Sequence, residues 1–451
     1  MTRIGGLAYA AQLIHGPWRA GLKRMGVMDR QGGLSRRAQW AGGEPIANLL
    51  VAKTLSNPEM VSLAAGFVDH QTLPILSARE ALETIWSDPA LARAALQYSS
   101  TIGYPPLRQA ILDRMLRADG RSAQQIRVSA DHVVITPGSS QLLHLVGDVL
   151  LDPGDIVICG APSYYVFLGT LANLGARPIG VEVDGYGPIP EAIEEELRRL
   201  KAARELARVK ALYMMSWYDN PTGVTIPLQR RAALVDLARR WSSAGRIYVI
   251  EDIAYRELRY AGEELPSIRA LDDAGDTVVV TGSFSKSYSP GVRVGWGILP
   301  QSLVKPVLSA KGNLDFGSPA LNQVLMAVVV TTGMFDAHVE RVRACYREKI
   351  EAILDAADEF LAPIGGIDWV RPTGGLYLWL RLPETIDTGL SGRLFDAAVE
   401  EGVLYVPGEY CYPKEGRGVL KNMLRLSFGI PSCAEIRRGV EALARAIRRT
   451  A

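Results

Sequence analysis

The chain is short of nearly everything that would mark a disulfide scaffold, a metal protein or a nucleic-acid binder. Among 451 residues there are four cysteines, Cys159, Cys345, Cys411 and Cys433. They are too few to staple a fold of this size and show no C-x-x-C spacing, which points to a reducing, cytoplasmic setting. The five histidines, His15, His70, His132, His144 and His338, have no H-E-x-x-H or i, i+4 pairing, so no metal site is expected. Excess charge is lacking too: 50 basic against 48 acidic residues leave a net charge of +2, which speaks against nucleic acid as a partner. The longest apolar stretches, such as Val324 to Val330, fall well below the roughly 20 residues a membrane-spanning helix needs. There is no internal repeat or low-complexity tract.

What is present is an ordinary globular composition, 48% hydrophobic and 22% charged, with ample apolar surface for a core. At about 150 residues per domain the length suggests two to three domains. The one anomaly is the first 45 residues, where Arg3, Arg19, Lys23, Arg24, Arg30, Arg36 and Arg37 face only Asp29 and Glu44. Such an acid-poor arm fits a transit peptide or a membrane-surface segment. The plainer readings are an extended start or an arm packed on a partner subunit. It lacks a helix-turn-helix pattern.

From about residue 130 to 300, short β-rich runs alternate with helical stretches, the pattern of a parallel sheet covered by helices. The expected strands are Val133–Thr136, Ile156–Cys159, Ala211–Met215, Ile247–Ile250, Thr277–Thr281 and Val294–Ile298. Helices are expected at Gln141–Leu150, Tyr164–Leu174, Glu191–Leu206 and Leu228–Ser242, and residues 50–128 read as mainly helical. After residue 300 come a long helix around Glu340–Phe360 and a smaller unit. That unit has strands at Leu376–Leu382 and Met423–Phe428 and helices at Ser391–Glu401 and Cys433–Arg448.

In open α/β sheets, ligands bind beyond the carboxyl ends of the strands. Five polar groups fall there: Gly138-Ser139-Ser140, Ser163-Tyr164, Asn220-Pro221-Thr222-Gly223, Asp252, and Ser283-Phe284-Ser285-Lys286. Lys286, among small residues beside an apolar strand, is placed to have a depressed pKa and act as an amine nucleophile. Ser283, Ser285 and Arg293 suit a phosphate, as does the helix start at Ser139 and Ser140. Two phosphate-competent elements flanking one lysine suggest a phosphorylated aldehyde. Asp252, at the end of the apolar run Ile247–Ile250, needs a cationic or hydrogen-bonding partner, and a protonated pyridine nitrogen would serve. Pyridoxal 5′-phosphate combines these demands. Asn220 and Tyr255 could both bond its phenolic oxygen, and Tyr164 could stack on its ring. Taken singly, Asn-Pro-Thr-Gly also reads as a plain turn, Gly-Ser-Ser as a cap and Tyr164 as core.

In their order, these residues resemble the class I/II aminotransferases of pyridoxal-phosphate fold type I, from about residue 50 to the C-terminus. The motifs that carry the resemblance are Asp219–Gly223, Glu251–Tyr255, Ser283–Lys286 with Arg293–Trp296, and Leu424–Phe428. Val61–Gly66 and Leu96–Ser99 with Gly103 place it nearest the branch of 2-aminoadipate and kynurenine aminotransferases, which also holds aromatic and branched-chain enzymes. The resemblance implies a large domain with a mostly parallel sheet at residues 51–315 and a smaller C-terminal α+β domain at 316–451, with residues 1–50 as an N-terminal arm. It implies that Lys286 forms the Schiff base and moves the Cα proton. Asp252 would hold the ring nitrogen, Asn220 and Tyr255 the phenolic oxygen, and Ser139, Ser140, Ser283, Ser285 and Arg293 the phosphate. Arg425 would clamp the substrate α-carboxylate beside Gly66, and Tyr98 would reach the phosphate of a neighbouring subunit, so a homodimer with interfacial sites is implied. The expected reaction moves an amino group from an amino acid to a 2-oxo acid. A lyase, decarboxylase or synthase on the same fold, or a regulator's effector-binding domain, are the alternatives. The chain departs from the branch at Ser140, at Ala65 and in the loop Gly408–Gly418 with Tyr410, Cys411 and Tyr412.

Overall fold

Seven β-branched or apolar runs of the middle region, joined by one short late segment, make an eight-stranded sheet. Its strands are β1 (Val133–Thr136), β2 (Ile156–Gly160), β3 (Arg177–Val181), β4 (Val209–Met215), β5 (Tyr248–Asp252), β6 (Val278–Ser283) and β7 (Gly295–Ile298). A second sheet has β8 (Asp368–Trp369), β9 (Tyr377–Arg381), β10 (Val406–Pro407) and β12 (Met423–Ser427), while β11 (Glu415–Gly416) joins the first. The computed structural model describes Gly33, Ser35–Trp40, Ile46–Asn57 and Glu59–Thr450. Most of the basic arm, and the readings placed on it, therefore lies outside the described residues. The chain divides into two units, Met1–Gln39 and Trp40–Ala451, and both sheets belong to the second.

The large sheet runs in the order β11–β3–β2–β4–β5–β6–β7–β1. All neighbours are parallel except β7, which is antiparallel to both β6 and β1. The carboxyl ends of β1 through β6 therefore share one edge, and β7 starts from that same edge. β1, β2 and β5 are buried at every position, as expected for strands covered by helices on both faces. The small sheet is antiparallel, in the order β8–β9–β12–β10.

The expected strands are all present, within one or two residues of their expected ends. β3 was not legible, because Pro178 and Gly180 interrupt its pattern. β11 is only two residues long, yet it carries the C-terminal part of the chain onto the edge of the large sheet beside Ile179 and Gly180. The expected helix Glu191–Leu206 ends earlier, at Ala202. The long helix runs Met334–Ala356 and continues through a wider turn at Ala357–Leu361. Three helices, Ile75–Ser87, Pro89–Leu96 and Pro105–Asp119, fill the region before β1.

Two local features bring remote segments to the shared edge. Val61–Ser62 pairs in parallel with Val403–Leu404, and the Ser427 N–H donates to the Leu63 carbonyl at 2.6 Å. Lys349 clamps the continuation of this segment, donating to Asp69 Oδ2 at 2.5 Å and to the carbonyls of Gly429 and Ile430. Gly66 is thereby fixed at the edge. At β7, Gly295 lies directly under the turn from β1 into the helix Ser139–Leu150: a Cβ there would come within 2.3 Å of the Gly138 carbonyl carbon and the Ser139 nitrogen. Gly295→Ala should therefore lower stability by about 1–3 kcal/mol in urea unfolding; an unchanged midpoint would contradict this packing.

Candidate active site

The shared edge gathers the polar residues because each strand ends where its functional side chain is needed. Strand register sets the phosphate-competent cluster, since Gly295 pairs with Ser283 on one side and with Thr136 on the other. Ser139 opens the helix after Gly138, whose φ of 94° suits glycine. Arg293, at φ 47°, lays its guanidinium over this start: a Cβ on Gly138 would lie 2.6 Å from Arg293 Nη2. Its bonds are long ones to the carbonyls of Pro290 and Pro137, at 3.3 and 3.4 Å, and no carboxylate among the described residues pairs with it. The Ser283 hydroxyl donates to Ser285 Oγ at 2.9 Å and accepts from the Ser285 N–H at 3.0 Å. Free helix N–H groups, two hydroxyls and an unpaired guanidinium make an anion cradle. Ser139 is half-buried at its mouth, whereas Ser140 is exposed.

Lys286 lies in the turn after β6 and is half-buried. Its Nζ donates to the Gly66 carbonyl at 2.7 Å. Burial, followed by the nearby guanidinium groups of Arg425 and Arg293, pushes its pKa down from 10.5 to about 8. About a tenth is therefore the nucleophilic neutral amine at pH 7, far more than for an ordinary lysine.

Asp252 is the last residue of β5 and is 2% exposed. It accepts from the Ala254 N–H at 3.0 Å and from the Tyr213 hydroxyl at 3.3 Å. No cation among the described residues pairs with it, and burial lifts its pKa to about 7. Its neighbour Glu251 points to the opposite face, where the Ser216 hydroxyl and the N–H groups of Ile268 and Arg269 satisfy it. Of the two adjacent acids, only Asp252 is left wanting a positive partner.

Arg425, on β12, shows the opposite deficit. It is 1% exposed and donates to Asn220 Oδ1 at 2.7 Å and to the Ala64 carbonyl at 2.9 Å. Its Nε–H has no partner, and no carboxylate forms an ion pair with it among the described residues. A buried guanidinium held only by neutral acceptors, with one donor spare, is a site for a carboxylate.

The remaining expected residues divide. Tyr255 is buried, with its hydroxyl 2.8 Å from that of Tyr377. Tyr164 precedes the helix Tyr165–Asn173 and is half-buried; after burial, the charges that act on its hydroxyl include Asp252 and Arg425. Tyr98 is not brought to this cluster: it is 81% exposed and packs edge-on against Phe316. Four contributors escaped the sequence reading. Tyr377 stacks at 4.2 Å on the Arg425 guanidinium, and Tyr165 approaches it at 5.6 Å. Tyr213 bonds Asp252, and Ala64 offers only its carbonyl. Tyr377 had a signal, an aromatic residue in a strand just after Gly374-Gly375, whereas a backbone carbonyl has none.

Known proteins sharpen the picture. Residues 58–443 match the family model for aminotransferase class I and II. The aromatic-amino-acid aminotransferase 1 of Thermococcus litoralis is 32% identical over 422 residues, 94% of this chain and 95% of that protein. The 2-aminoadipate transaminase of Thermus thermophilus is 36% identical over 399 residues, 88% and 92% of the two chains. The crystal structure of Pyrococcus horikoshii kynurenine aminotransferase superposes with a TM-score of 0.84 at 32% identity, covering 92% of this chain and 97% of that one. The chain belongs to the class I and II aminotransferases, and it is a transferase whose cofactor is pyridoxal 5′-phosphate. The crevice fits that group, with an anion cradle, an amine of lowered pKa and a buried acid lacking a cation.

The lowered Lys286 pKa has a measurable consequence. Amine acylation at Lys286 of the cofactor-free protein should have its midpoint near pH 8, against 10.5 for an ordinary lysine, read by peptide mass spectrometry. The same shift destabilises the fold below about pH 8 and ceases to do so as pH rises toward 10.5. A midpoint at the ordinary value would refute the burial of this amine.

Proposed function

We propose that the protein transfers the amino group of an L-amino acid with an aromatic, branched-chain or 2-aminoadipate-like side chain to a 2-oxo acid such as 2-oxoglutarate. The reaction is ping-pong: the first substrate leaves as its oxo acid before the second enters. The observation that carries this reading is Arg425, a buried guanidinium with no carboxylate partner and a spare Nε–H. One such clamp serves the α-carboxylate of each substrate in turn.

Bound in the crevice, the cofactor would supply an electrophilic carbonyl carbon and a cationic ring able to draw electrons from Cα. Asp252 keeps the ring nitrogen protonated, and Asn220 and Tyr255 hold the phenolic oxygen. Ser139, Ser140, Ser283, Ser285 and Arg293 hold the phosphate, and Tyr164 covers the ring face. Lys286 would hold the cofactor through its amine and would be the base that moves the proton from Cα. Arg425, with Gly66 beside it, would fix the carboxylate and so orient the Cα–H bond for proton removal.

In the same reading two copies associate, with Tyr98 of each completing the phosphate site of the other. Support comes from the exposed apolar group Leu96, Tyr98, Leu314 and Phe316. Residues 51–315 then form the cofactor-binding domain and 316–451 the smaller domain. A cytoplasmic location agrees with four unpaired cysteines, and no single helix among the described residues is long and apolar enough to cross a membrane.

Purified protein mixed with a panel of amino acids should lose its visible absorbance band and regain it on addition of a 2-oxo acid. Ammonia or carbon dioxide release independent of an oxo acid would instead make it a lyase or decarboxylase, and an unreactive adduct would indicate a ligand-binding module. Arg425→Ala should cut kcat/KM by about a hundredfold or more, mainly through KM, because a charge-assisted bidentate contact is lost. Unaltered kinetics would remove Arg425 from the site.

A further inference from the structure

Tyr377 stands where the cofactor side and the substrate side of the crevice meet. It is 2% exposed, its hydroxyl lies 2.8 Å from that of Tyr255, and the two rings meet edge-on at 5.6 Å. Strand pairing produces the contact with Arg425: Tyr377 pairs with Ser427 and Trp379 with Arg425, so Tyr377 and Arg425 are diagonal neighbours on one face. The hydroxyl has room only because residue 66 is glycine, where a Cβ would come within 2.5 Å of Tyr377 Oη. The carbonyl of that same Gly66 accepts from Lys286. A phenylalanine would supply the same ring beneath the guanidinium, so the hydroxyl is the part that requires tyrosine.

We propose that Tyr377 is a positioning residue: its hydroxyl donates to the Tyr255 oxygen and so strengthens the hydrogen bond that Tyr255 gives to the phenolic oxygen of the cofactor. The inference deepens the reading above and rests on Tyr255 facing that oxygen. A hydroxyl whose own oxygen accepts a bond is the stronger donor. The phenolic oxygen carries its negative charge alone when the nitrogen joining Lys286 to the cofactor is unprotonated, and shares that nitrogen's proton otherwise. A stronger donor therefore favours the unprotonated form and lowers the pH at which the linkage loses its proton.

The other groups facing this locus come from several elements. Tyr164 and Arg425 act on Tyr255, Arg425 and Arg293 act on Lys286, and Tyr213, Asp219 and Glu251 act on Asp252. All of them remain in a Tyr377→Phe protein, so the difference isolates one hydroxyl.

The test is a spectrophotometric pH titration of the visible band of the holoenzyme. Tyr377→Phe should raise the midpoint by about half a pH unit. Tyr377→Leu, which also takes the ring from beneath Arg425, should add a severalfold rise in KM for the amino acid. In a Tyr255→Phe background, the further change Tyr377→Phe should leave the midpoint where it is. An unchanged or lowered midpoint in the single Tyr377→Phe variant, or a further shift in that background, overturns the proposal while leaving the cofactor reading intact. A wild-type protein with no visible band overturns both.

Discussion

Two opposite charges are buried at one edge of a parallel sheet and kept from neutralising each other. Asp252 comes from the large sheet and Arg425 from the small one, and neither forms an ion pair among the described residues. Leaving ions of this kind unpaired away from water costs several kcal/mol, and for Asp252 that cost appears as a pKa raised to about 7. The surrounding neutral contacts reduce that cost without removing it: Ala254 and Tyr213 for the acid, Asn220 and the Ala64 carbonyl for the base. In the proposed function, binding supplies the missing charges, a cationic ring for one and a carboxylate for the other, and Lys286, its pKa lowered by the same enclosure, is the nucleophile.

The sheet order explains why these groups can meet. Six parallel strands bring their carboxyl ends to one line, and the reversed β7 closes the line by placing Arg293 and Gly295 against the helix that follows β1. The small sheet then covers the crevice from the other side. Asn220 is the joint between the two, since its amide oxygen holds the guanidinium from β12. Tyr377 is a second joint, from β9, touching both Tyr255 and Arg425.

Most of this was legible in the sequence wherever function sits at a strand end. The polar residues at or near the ends of apolar runs, Ser139, Asn220, Asp252, Ser283 and Lys286, could be read because ligands bind beyond the carboxyl ends of such strands and a lysine or aspartate there is costly unless used. What escaped has a physical reason in each case. β3 carries a proline and a glycine that break the alternation, and β11 is too short to have a pattern. Tyr213 lies inside an apolar strand, where an aromatic residue reads as core, and Tyr377 opens one; the hydrogen bonds to Asp252 and Tyr255 show which way their hydroxyls face. Ala64 contributes a carbonyl, which no side-chain pattern encodes. Tyr98, named from the family resemblance, stands apart from the cluster, exposed beside Phe316.

The most direct test of the central claim is chemical mapping of the bound aldehyde. Cofactor-free protein is mixed with one equivalent of pyridoxal 5′-phosphate, reduced with borohydride and digested, and the modified peptide is identified by mass. A single adduct on Lys286 is the predicted result, absent when Lys286 is changed to Ala. An adduct spread over surface lysines, or one that persists without Lys286, would contradict it.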